Sequence, residues 1–185
     1  MIKNRILIIG DSFSENTSGW PSMIGKDITN LSQNGVGEYK IMLQARKIDL
    51  AQFETIIVCH TSPWRVHTRF HPIHHNNQSR NENDFLLSDV EYHSKHNNQM
   101  MDVKKYLEKY MDPSYQMDMY RLIVKELKTI RNSLHITFHD IQDTSVIENN
   151  YHSIWLENQG TINHMNNKGN FEVSKHIKKL INGRS

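Results

Sequence analysis

Short aliphatic runs, separated by longer stretches in which apolar residues recur every three or four positions, organise this chain. Ile6 to Ile9, Thr55 to Cys59 and Leu134 to Phe138 are β-rich and bounded by polar or turn-forming residues, as strands buried on both faces are. Ile28 to Leu31 is a weaker fourth. From Tyr115 to Ile130 the period changes: Met119, Leu122, Ile123, Leu127 and Ile130 fall at helical spacing and predict one buried stripe. Phe171 to Ile181 repeats it with Val173, Ile177, Leu180 and Ile181, with Lys178 and Lys179 in the last turn and Gly183 as the stop. Strand and helix alternate, which predicts an α/β protein: a three-layer α/β/α, flavodoxin-like arrangement with a parallel sheet of about five strands and right-handed crossovers.

Residues 62 to 114 interrupt this rhythm, being rich in His, Asn, Arg and Ser. They predict one modest helix near Asp102 to Met111, closed by Asp112-Pro113. The segment is expected to be a polar loop or lid over the sheet's edge, within a single domain of residues 1 to 185.

Composition narrows the function class. A chain of 185 residues can bury a core without disulfide staples. Twenty-two basic against twenty acidic residues leave a formal charge of +2, too little to draw nucleic acid or an anionic membrane, so neither is an expected partner. Cys59 is the only cysteine and reads as a buried strand thiol. The first apolar run breaks at Asp11, too short for a signal peptide or a membrane span, and a reducing, cytoplasmic location is expected.

The first strand runs into Gly10-Asp11-Ser12. In a parallel sheet, residues just past a strand's carboxyl end line the ligand crevice, which places Ser12 for chemistry. A serine there is also a common helix cap, a role open equally to Asp11. A serine hydroxyl becomes a nucleophile when a base takes its proton, and histidine has the pKa for that work.

Ile8-Ile9-Gly10-Asp11-Ser12 resembles the first block of the SGNH (GDSL-type) hydrolases, in which the nucleophilic serine follows the first strand. Asn34-Gly35-Val36-Gly37 is similar to the second block, whose glycine lends a backbone N–H to the oxyanion. Asn163-His164-Met165-Asn166-Asn167-Lys168-Gly169-Asn170 looks like the last, in which a His precedes an Asn-rich turn, a Gly and the final helix. The blocks follow in order, so the resemblance spans most of the chain. It implies the SGNH-hydrolase fold, Ser12 and His164 as the catalytic pair, and oxyanion donors from the Ser12 and Gly37 N–H groups; in place of the family's third donor, either the Thr61 hydroxyl or His60 can donate to the oxyanion.

Two positions depart from that pattern. Thr161 stands where the family has an acid, three residues before the His. A Ser–His dyad is therefore expected, its imidazole oriented by a backbone carbonyl or by Asp140, Asp143 or Glu157. The family's Asn after the third strand is replaced by Cys59-His60-Thr61-Ser62-Pro63-Trp64-Arg65. Asp11, His60, Trp64 and Arg65 are expected to meet substrate, the last two by stacking on a sugar ring or pairing with a carboxylate. The implied activity is a serine esterase acting without a cofactor on a small ester, such as an O-acetyl group of a carbohydrate. His71-Pro72-Ile73-His74-His75 has ligand-like spacing, but Pro72 breaks the helix and no Cys or Glu completes a set, so no metal is expected.

Two other readings compete. A member of this fold without catalysis would bind polysaccharide or a protein partner, in keeping with Thr161 and the altered third block. A flavodoxin-like binder would cradle a phosphate or flavin with Ser12, Ser14, Asn16, Thr17 and Ser18.

Overall fold

The computed structural model describes residues 5–15, 18–25, 27–74, 83–141, 147–160 and 164–183. Its strands in chain order are β1 (Ile6–Gly10), β2 (Ile28–Asn30), β3 (Thr55–His60), β4 (Arg65–Val66), β5 (Phe85–Leu86), β6 (Ser133–Thr137) and β7 (Asn149–Asn150). The helices are α1 (Ser12–Glu15), α2 (Trp20–Ile24), α3 (Glu38–Arg46), α4 (Leu87–His93), α5 (Asn98–Tyr110), α6 (Pro113–Leu127), α7 (His152–Glu157) and α8 (Asn167–Asn182). Five strands form one parallel sheet in the order β2-β1-β3-β6-β7.

Successive side chains of a strand point to opposite faces, and both faces of this sheet are covered. Ile6, Ile8, Ile57, Cys59, Leu134 and Ile136 pack with Trp20 and Ile24 of α2 and with Val173 and Ile177 of α8. Leu7, Ile9, Ile56 and Val58 pack on the other side with Ile41, Met42 and Ala45 of α3 and Leu127 of α6. The result is the three-layer α/β/α, flavodoxin-like fold. The order turns back between β1 and β3, and such a switch point opens a crevice at the strands' carboxyl ends.

The apolar runs match β1, β2, β3 and β6 to within a residue at either end. The stripe predicted for α6 is rotated: its buried residues are Tyr120, Val124 and Leu127, while Leu122 is exposed. Tyr120 carries enough apolar body to serve as core, which turns that face of the helix inward. The helix starts at Pro113 because the Asp112 carboxylate accepts the Ser114 and Tyr115 N–H groups, and proline needs no partner for its own nitrogen.

The segment read as a polar loop carries the antiparallel ribbon β4–β5 and the helices α4 and α5, with residues 75–82 outside the described set. Val90, Met100 and Leu107 make a small core of their own, on which Val66 and Phe85 pack. Asp84 fastens this insertion to α3 and the turn before it. Its buried carboxylate accepts the Gly37 N–H at 2.6 Å and the Thr68 N–H at 2.9 Å, and pairs with Lys40 at 2.8 Å and His67 at 3.2 Å. The Asp84 N–H donates to the Gly35 carbonyl, across a turn that needs glycine because φ there is +70°. Asp84→Ala leaves Lys40 and the Gly37 N–H without their partner, and the predicted loss is about 3 kcal/mol of unfolding free energy, measured by urea denaturation.

Candidate active site

Gly10, Asp11 and Ser12 connect β1 to α1 at the switch point. Gly10 is there because nothing larger fits: a Cβ would lie 2.6 Å from the Cys59 Cβ and would also strike Ser14 Oγ. The buried Gln44 of α3 accepts the Gly10 N–H at 2.8 Å and donates to its carbonyl at 3.1 Å, which also accepts the Gln33 N–H at 3.1 Å.

Asp11 is fully buried, and its carboxylate ties three strand ends together. Oδ1 accepts the Phe13 N–H at 3.0 Å, which makes Asp11 the cap of α1, and lies 3.9 Å from the Cys59 Sγ on β3. Oδ2 lies 3.2 Å from Nε2 of His139, two residues past the end of β6. Burial pushes the Asp11 carboxyl upward, but the His139 hydrogen bond and charge, then the Arg65 charge and a Thr61 hydrogen bond, outweigh it and leave it below the ordinary range. Burial and the Asp11 charge drive the Cys59 thiol well up, so it stays protonated and is no nucleophile.

Ser12 is half-buried and is the first residue of α1, where backbone N–H groups have no acceptor within the helix. Two imidazoles approach this turn. The rings of His139 and His164 lie 5.3 Å and 5.5 Å from that of Phe13, the residue next to Ser12. No hydrogen bond joins Ser12 to either histidine among the described residues. The His164 carbonyl accepts the Gly160 N–H at 2.6 Å, and Asn166 caps α8 by accepting the Gly169 N–H. Buried Asn170 accepts the Trp20 N–H and donates to the carbonyls of Met165 and Asn166.

Several expected site residues do other work. Gly37 is not an open oxyanion donor, since Asp84 takes its N–H. Thr61 is fully buried; its hydroxyl accepts from Arg65 Nε at 3.2 Å and its N–H donates to Glu38 Oε2 at 3.2 Å. Asp11 and His60, both expected to meet substrate, are fully buried. His60 instead belongs to a chain in which Nδ1 lies 2.6 Å from Glu38 Oε1 and Nε2 lies 2.8 Å from His135 Nδ1, with His135 Nε2 2.7 Å from Ser133 Oγ. Trp64 is 37% exposed and Arg65 half-buried, so both remain accessible to a ligand.

Of the acids expected to orient His164, Asp140 and Glu157 are exposed and hold no described bond to it, while Asp143 and the Thr161 position lie outside the described residues. The phosphate-cradle reading loses Ser14, whose buried hydroxyl donates to the Asp11 carbonyl at 3.1 Å and lies 2.9 Å from Ser32 Oγ, from which it can accept; Asn16 and Thr17 lie outside the described residues. His71 and His74 have ring centroids 4.5 Å apart, His75 is outside the described set, and among the described residues no three metal-binding side chains gather. No helix among them is long and apolar enough to cross a membrane.

The residue that sequence reasoning missed is His139. Its one signal is position, just beyond a strand of a parallel sheet, where ligand crevices form. No family model, curated protein or solved structure matches the chain.

Because Asp11 titrates below its ordinary value of 3.8, its stabilising share is intact above that pH and is lost as acid protonates the folded carboxylate. Urea midpoints followed from about pH 6 to about pH 2 should fall more steeply on the acid side in wild type than in Asp11→Asn.

Proposed function

We propose that the chain is a serine esterase of the SGNH type, with Ser12 as nucleophile and His164 as its base. The observation that carries this reading is the packing of the His164 ring against Phe13, the neighbour of Ser12, at 5.5 Å. Ser12 opens α1 at the switch-point crevice, and the loop before α8 brings His164 to the same aromatic residue, Phe13. In the proposed reaction Ser12 Oγ attacks the acyl carbon as His164 takes its proton, and the tetrahedral oxyanion is met by the Ser12 N–H. His164 returns the proton to the departing alkoxide, and water clears the acyl-enzyme with His164 again as base. A small ester suits the site, an O-acetylated carbohydrate being the class that exposed Trp64 and half-buried Arg65 would receive.

One observation favours binding without catalysis on the same scaffold. The Gly37 N–H, one of the three expected oxyanion donors, already has a protein partner, and Thr61, which carries another, is fully buried.

Hydrolysis of 4-nitrophenyl acetate and labelling by a fluorophosphonate separate the two. The esterase reading predicts one adduct on Ser12 and a loss of at least ~10³-fold in kcat/KM for Ser12→Ala, with a loss of similar size for His164→Ala because the pair acts as a unit. Neither turnover nor adduct would favour the binding protein.

A further inference from the structure

Beside the crevice, between α6, the start of α3 and β4, lies a cleft of about 310 Å³ whose lining does not include Ser12. That volume is at the small end of ligand pockets, which run from roughly 300 Å³ upward. Tyr39, Tyr115, Met119 and Ile123 give it a largely aromatic and apolar wall.

Its polar groups are unequally satisfied. Asp84 is occupied by Lys40, His67 and two backbone N–H groups, and Glu38 by His60 and the Thr61 N–H. Arg65 is different. Its Nε donates to the Thr61 hydroxyl and its Nη1 to the Gly35 carbonyl at 3.3 Å, both neutral acceptors, and it makes no salt bridge among the described residues. Tyr120, also of the lining, is 3% exposed, and its hydroxyl has no hydrogen-bond partner among the described residues. A buried polar atom without a partner is rare in native proteins and points to a group that completes it. Arg65 and Tyr120 both line the cleft.

We infer that this cleft binds a small organic carboxylate with a flat apolar body, its carboxylate held by the Arg65 guanidinium and the Tyr120 hydroxyl and its body by the tyrosine, methionine and isoleucine wall. A guanidinium presents a planar fork that matches a carboxylate, a burial-protected phenol stays protonated and donates, and flat rings pack on tyrosine faces. The site does not depend on Ser12 reacting.

Calorimetric titration of the full chain with benzoate and with benzamide, which is similar in shape but uncharged, tests it. Benzoate should bind with a Kd below ~1 mM and benzamide at least about tenfold more weakly. Arg65→Gln should weaken benzoate about tenfold or more, Tyr120→Phe about threefold or more, and Ser12→Ala should leave it unchanged. Equal affinity for the two probes, no benzoate binding up to ~10 mM, or wild-type affinity in Arg65→Gln would overturn the assignment. Should Arg65→Gln fail to fold, the comparison of benzoate with benzamide on the wild-type chain still decides. Loss of esterase activity in Ser12→Ala with benzoate binding intact keeps this site separate from the proposed catalysis.

Discussion

A carboxylate buried at the end of a parallel sheet must find donors, and Asp11 finds them on three chain segments. It caps α1 through the Phe13 N–H, sits over Cys59 of β3 and pairs with His139 beyond β6. Isolated in a low-dielectric interior such a charge would be very costly, so these partners must stay in place whenever Asp11 is ionised. One side chain thereby sets where β1, β3 and β6 end relative to one another, and it fixes the turn that presents Ser12.

A second buried polar network lies on the α3 and α6 side of the sheet. Glu38, His60, His135 and Ser133 form a chain that ends on the Ile130 carbonyl, which accepts from Ser133 Oγ at 2.7 Å. Every link has a partner, the condition under which a polar chain rigidifies a core instead of weakening it. Its Glu38 end also receives the Thr61 N–H, so the chain braces the end of β3, where the Thr61 hydroxyl accepts from Arg65 Nε. The insertion is tied to the same region by Asp84, which takes the N–H of Gly37 next to Glu38.

The legible part of the sequence was the part governed by apolar burial. Strands β1, β3 and β6 are covered on both faces and must be aliphatic, and α8 has enough of a stripe to declare itself. Strand β7 was invisible because its two residues, Asn149 and Asn150, carry no apolar signal, and β4 and β5 are equally short. The placement of Ser12 just past a strand could be read from the end of the aliphatic run. Polar partnership could not: nothing local distinguishes Asp84 or His139 from other Asp and His residues, because their meaning comes from contacts 47 and 128 positions away in the chain. His60 shows the converse error, since a histidine at a strand's end looks available until the helix that covers it is known.

The Asp11–His139 pair is best tested by a double-mutant cycle on unfolding free energy, with Asp11→Asn, His139→Gln and the double variant measured by urea denaturation at neutral pH. If the pair holds β1 and β6 together as described, the two substitutions will be coupled by ~1 kcal/mol or more. Additivity to within ~0.3 kcal/mol would contradict the central role given to Asp11.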